Sequence, residues 1–111
     1  MQHSFAFDKS QRLSHSAIQY VFQNIEKRID TFYATFLLTT SPSESAGVAI
    51  IVAKKKVKKA VQRNLCKRVY REFFRLNQNH LGHAWMVVIV KKSANEASKA
   101  QLWASIDFLK N

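Results

Sequence analysis

The chain has 111 residues, 47% hydrophobic and 12% aromatic, with two Gly and one Pro, which suits one domain spanning 1–111 and excludes a disordered tail. Eighteen Lys and Arg face seven Asp and Glu, a formal net charge of +11; self-repulsion at that charge points to a polyanionic partner, nucleic acid or anionic membrane. The single Cys66 excludes an intrachain disulfide, and neither a signal peptide nor an apolar run of ~20 residues is seen, so a soluble cytoplasmic protein is expected.

Residues 1–11 read as an irregular arm whose Phe5 and Phe7 pack onto the body. Ser14 to about Arg28 reads as a helix. Ser14 or Ser16 supplies its cap, Ser16 and Gln19 have capping-box spacing, and Ile18, Val21, Phe22 and Ile25 recur at helical intervals. Thr31 to Thr40 alternates as a strand, with Phe32, Ala34, Phe36 and Leu38 on one face. Ser41 to Ser45 is a turn, and Ala46 to Ala53 is an apolar run typical of a central strand. The short turn makes these two strands antiparallel neighbours. Lys58 to Leu76 is the longest helix, followed by a polar loop, Asn77 to His83. Ala84 to Val90 is another buried strand. A last helix runs from about Ala94 to Leu109, opened by Ser93 and Glu96 at capping-box spacing, with Ala97, Ala100, Trp103, Ile106 and Leu109 inward. The order α-β-β(-β)-α-β-α describes an α+β protein, a two-layer α/β sandwich of helices on a small sheet.

Ten of the eighteen cations fall between Lys54 and Arg75, with one acid, Glu72, among them. At about 100° per residue, Lys59, Arg63, Lys67, Arg71 and Arg75 form a slowly drifting stripe bordered by Asn64 and Arg68. Val61, Leu65, Val69, Phe73 and Leu76 form the opposite, core-facing side. An ordinary solvated face mixes signs; here the four-residue neighbours repel by a few tenths of a kcal/mol each, which phosphates would relieve. A basic amphipathic helix can also lie on membranes, but Arg outnumbers Lys on the helical part of the stripe, and a planar guanidinium fork suits bidentate phosphate contact. Asn64 adds an amide for a base edge or a ribose hydroxyl.

The run from Lys54 to Glu72, with its Lys-Lys pair, Ala60-Val61-x-Arg63-Asn64-x-x-Lys67-Arg68 and Arg71-Glu72, resembles the signature of the bacterial ribonuclease P protein family. The resemblance extends over about Arg12 to Leu109. It includes Arg12-Leu13 before Val21-Phe22, the strand Val48 to Ala53 leading into the lysines, and Trp85 to Lys92. Two positions depart from the family pattern: Ile18, where an aromatic is usual, and Ala49, where Gly is usual.

The resemblance implies the accessory subunit of an endoribonuclease that removes the 5′ leader of precursor tRNA by phosphodiester hydrolysis. Catalysis would belong to an RNA with magnesium ions, leaving no catalytic or metal-binding residue on the protein. It implies a left-handed βαβ crossover containing the basic helix, against the usual right-handed rule. Carried over, Arg63, Asn64, Lys67, Arg68 and Arg71 would contact catalytic RNA, with Lys54, Lys55, Lys56, Lys58, Lys59 and Arg75 extending that surface. Arg12, Ile18, Phe22 and Phe36 would line a leader cleft, since aromatic faces accept any base. A 1:1 complex with the RNA and no membrane contact follow.

A self-sufficient nuclease would need clustered carboxylates or a His acid–base pair. The seven acids are scattered, and His80-x-x-His83 has no Cys or acid nearby in sequence to complete a metal site. Cys66, Trp85 and Trp103 read as core residues rather than as a nucleophile or stacking platforms. A general RNA-binding structural protein would share the basic helix but leave the Arg12-Leu13 and Phe22 pattern unexplained. A membrane or acidic-partner module would show no preference for RNA.

Overall fold

The structure is a computed structural model describing residues 11–106. Most of the expected arm, with Phe5 and Phe7, and the end of the last expected helix, with Leu109, lie outside the described residues.

Helix α1 (His15–Gln23) begins where Ser14 Oγ accepts the Ala17 amide at 3.2 Å, the N-cap arrangement that satisfies an orphan donor. It ends short of the expected Arg28. Asn24 Nδ2 donates to the Tyr20 carbonyl at 2.9 Å, and the Glu26 amide already pairs with Leu38 O at 2.9 Å. The residues beyond form an edge strand, β1 (Lys27–Asp30). Strands β2 (Ala34–Thr40) and β3 (Gly47–Ile51) follow, Thr31 to Tyr33 making the β1–β2 turn. Helix α2 (Ala60–Leu76) is next, then a short helix α3 (Gln78–Leu81) inside the expected polar loop. Strand β4 (Ala84–Val90) has its expected bounds. The last expected helix is divided: Lys92–Glu96 is a 3₁₀ turn and α4 spans Lys99–Ile106. Its capping box is Ser98 with Gln101, each amide bonded to the other's side chain at 2.9 and 3.1 Å, rather than Ser93 with Glu96.

The sheet order is β1-β2-β4-β3. β2 pairs antiparallel with β1 and with β4, while β3 pairs in parallel with β4. The expected β2–β3 neighbourhood is therefore corrected: β4 lies between them. A short turn permits a hairpin but does not compel one, and β4, apolar on both faces, takes the central place. α2 is the crossover of the β3-α2-β4 unit.

Alternation along the strands divides the core. Phe36, Val48, Met86, Val88 and Val90 pack with Cys66, Val69, Tyr70, Phe73 and Phe74 of α2 and with Ala94, Leu102 and Ile106. The other face, Leu37, Ala49 and Val87, packs under Leu13, Ala17 and Val21. The sandwich thus carries α2 and α4 on one side and α1 alone on the other. Within α2 the buried stripe is Cys66, Val69, Tyr70, Phe73 and Phe74. Val61, expected inward, is 70% exposed, and Leu76 is also exposed. At about 100° per residue, Val61 stands roughly 150° from the centre of that buried stripe and Leu76 roughly 90° from it, so neither points into the core. The i, i+3, i+4, i+7, i+8 set stays on the core face.

Candidate nucleic-acid interface

The strand β3 leaves the sheet into the segment 52–59, which carries five lysines. Val57, fully buried, pins this segment to the core, and the Lys56 and Val57 amides both reach Ala53 O at 3.0 Å. With its apolar anchor inward, the loop leaves Lys54, Lys55, Lys56, Lys58 and Lys59 exposed. Arg63, on the first turn of α2, folds back: its Nη1 donates to Val57 O at 3.1 Å and to Lys58 O at 2.8 Å. It therefore shapes the loop as well as adding charge to it. The N-terminus of α2 has no side-chain cap and no acid in its first turn, so its positive dipole end adds to the lysines. Asn64 and Arg68 are exposed, Lys67 and Arg71 half-buried. Arg75 differs: its Nε donates to Glu72 at 3.0 Å. That bond holds the Glu72 carboxyl below its ordinary value and the Arg75 guanidinium above its own.

At the β3 edge of the sheet, a groove of about 280 Å³ runs between the chain start, α1, β3 and α2, lined by Arg12, Leu13, Ile18, Val48, Ala49, Ile50, Lys67 and Arg71. Arg12 is placed there by pairing with β3: it bridges Val48, and the Leu13 amide donates to Val48 O at 3.1 Å. Gly47 permits this approach. A Cβ there would stand 2.3 Å from Leu13 Cδ2 and 3.2 Å from Gln11 O. The groove joins two expected cleft residues, Arg12 and Ile18, to two of the expected stripe, Lys67 and Arg71. Phe22, one turn beyond Ile18 on α1, is 44% exposed.

Phe36 is a correction. It is 1% exposed and lies on the opposite face of the sheet, edge-on to Tyr70 (centroids 5.6 Å) and Phe73 (5.9 Å). Alternation told which residues share a face, not which face met α1. Sequence reasoning also missed Gln62, whose Nε2 donates to Ala94 O at 2.8 Å and Ala97 O at 2.7 Å, tying α2 to the segment after β4. A polar residue on the otherwise apolar inner side of a helix was the signal for it.

Cys66 is buried, and burial pushes its thiol above the ordinary value. Trp85 and Trp103 are half-buried against the two core clusters. His80 and His83 are exposed, and among the described residues no group of three or more His, Cys, Asp or Glu could hold a metal. Among the same residues no helix is long and apolar enough to cross a membrane.

An α+β protein with a cationic loop and helix running into a half-apolar groove has the features of a nucleic-acid-binding class. The model of one family, described as Ribonuclease P, matches residues 7–110. The ribonuclease P protein component of Saccharophagus degradans is 35% identical over 106 residues, covering 95% of this chain and 78% of that one. The component from Idiomarina loihiensis is 33% identical over 110 residues, covering 98% and 88%. Among solved structures, the Staphylococcus aureus RNase P protein superposes with a TM-score of 0.79 at 22% identity, covering 90% of this chain and 92% of that one. The Thermotoga maritima RNase P protein gives 0.72 at 24% identity, covering 88% and 93%. The chain belongs to the ribonuclease P protein family, the protein components of a tRNA-processing enzyme.

Proposed function

We propose that this chain binds the catalytic RNA of ribonuclease P, one to one, and assists removal of the 5′ leader of precursor tRNA in the cytoplasm. The RNA, with its magnesium ions, performs the hydrolysis. The protein supplies a polycation for the RNA through Lys54, Lys55, Lys56, Lys58, Lys59, Asn64, Lys67, Arg68 and Arg71. Arg63 holds the loop from which the lysines project. The leader enters the groove, where Arg12, Lys67 and Arg71 meet phosphates and Ile18 offers an apolar wall. Exposed Phe22 on the same helix can stack on a base, a contact indifferent to base identity.

The observation that carries this reading is the convergence in one groove of Arg12 from the chain start, Ile18 from α1 and Lys67 and Arg71 from α2. A strand of nucleic acid lying there touches the same helix that faces the catalytic RNA. Reconstitution with a bacterial ribonuclease P RNA tests it: the chain should stimulate cleavage of precursor tRNA at low magnesium. No stimulation over the RNA alone overturns the reading.

A further inference from the structure

The β1–β2 turn lies at the end of the sheet from which the lysine loop departs. Phe32 is 71% exposed. Single exposed apolar side chains are ordinary on protein surfaces, but the backbone beneath this one is firmly held. Thr31 Oγ1 donates to Ala34 O at 2.8 Å and accepts the Ala34 amide at 3.1 Å. All three turn carbonyls are engaged by the segment that follows β4. Lys91 Nζ donates to Thr31 O at 2.7 Å, Ser93 Oγ to Phe32 O at 2.6 Å, and the Lys91 amide to Tyr33 O at 2.7 Å. The Phe32 ring meets Tyr33 edge to face, centroids 4.8 Å apart at 82°. Such a contact covers at most one face of the ring. A ring held outward on a pinned turn loses little freedom when something stacks on it.

The segment that grips this turn also grips the basic loop. Asn95 Oδ1 accepts the Lys58 amide at 3.2 Å, and the Ala94 and Ala97 carbonyls hold Gln62 of α2. Because β3 and β4 are parallel, the lysine loop and this segment leave the sheet at the same end, where β2 begins. The charge around Phe32 suits an anion. Lys92 is exposed, and it stands in the chain between Lys91, whose amide bonds the Tyr33 carbonyl, and Ser93, whose hydroxyl bonds the Phe32 carbonyl. The Asp30 carboxylate is met by Thr35 Oγ1 at 2.5 Å, Arg28 Nε at 3.2 Å and Lys91 Nζ at 3.5 Å.

We infer that Phe32 is a stacking platform for an unpaired base of the catalytic RNA, with Lys92 against an adjoining phosphate. The inference rests on the proposed function, in which the Lys54–Lys59 loop faces that RNA. It extends the interface across the end of the sheet, away from the α1 groove.

Equilibrium binding of the full chain to a bacterial ribonuclease P RNA across a salt series tests this. Phe32→Ala should weaken binding roughly tenfold at every salt concentration and leave the salt slope unchanged. Phe32→Trp should bind at least as well as the parent, and Phe32→Leu should not rescue. Lys92→Ala should instead make the slope shallower by about one. Because the Phe32 ring is exposed, urea denaturation should show all these variants folded. Parent-like binding by Phe32→Ala or by Phe32→Leu overturns the platform. So does a loss confined to complexes carrying leader-bearing precursor tRNA, which would make the substrate the occupant, or a dimer of the free chain that Phe32→Ala dissolves. Failure of the parent chain itself to bind the RNA would overturn the functional reading along with it.

Discussion

The two faces of the sheet are built differently. Beneath α2 and α4 lie interlocked rings, with Phe36, Tyr70 and Phe74 essentially out of solvent. Beneath α1 the buried set is Leu13, Ala17, Val21, Leu37, Ala49 and Val87, and the flanking Ile18, Ile51, Trp85 and Ile89 stay half-open. Burial of apolar area scales with free energy at about 25 cal/mol per Å², so the ring-filled face carries more of the stability. The groove opens where the thin face meets the β3 edge, with Lys67 and Arg71 of α2 lining it from across that edge. Stability is concentrated under α2 and α4, and ligand access lies at the β3 rim of the sheet, where residues of both faces meet.

The sharpest way to break this comparison is Phe36→Ala. It should cost about 3–5 kcal/mol in urea denaturation, with RNA affinity unchanged in the fraction that remains folded. A stable variant with weakened leader binding would return Phe36 to the cleft. Next is Gly47→Ala, which drives a methyl into Leu13. It should cost about 1–3 kcal/mol as an overpacking change and weaken binding of leader-bearing precursor tRNA more than of leaderless tRNA, because Arg12 moves with Leu13.

Two arginines of α2 separate shaping from contact. Arg63→Ala should release the Val57 and Lys58 carbonyls and reduce affinity for the RNA roughly tenfold, of the order of a hydrogen-bonded charged group. Arg63→Lys should rescue little, since both bonds are made by Nη1, which stands one bond farther along the side chain than a lysine ammonium does. Arg68→Ala leaves the loop intact and should lower the salt slope by about one. The smallest effect is at Glu72. Its carboxyl is held below the ordinary value by Arg75, so the pair's modest stabilisation is present at neutral pH and lost as pH falls through the folded value. Glu72→Gln should cost a few tenths of a kcal/mol at pH 7 and raise affinity for the RNA, as measured in the same titrations.

How much of this was legible in the sequence differs from element to element. Ala84 to Val90 reads directly because a short β-branched run between polar segments has few alternatives. The cations of α2 read directly because their pattern is local. β1 did not, since Lys-Arg-Ile-Asp carries no apolar alternation and is a strand only by pairing with β2. The partner of β3 was misread because adjacency in the sheet is decided by which strand tolerates burial on both faces, a comparison among strands. The groove is drawn from residues 12, 18, 48–50, 67 and 71, and no window of sequence contains it. Phe36 shows the limit most plainly: its parity was right and its face was not.

Gly47 has one more consequence. By letting Gln11 to Leu13 lie against β3, it gives an outer strand of the sheet a covering that is not another molecule. Uncovered strand edges recruit copies of themselves and seed aggregates, and β3, Gly-Val-Ala-Ile-Ile, has no charge of its own to discourage that. The strip that sets Arg12 in the groove is thus also a guard, and a chain trimmed to begin at Ser14 would trade solubility for an open edge.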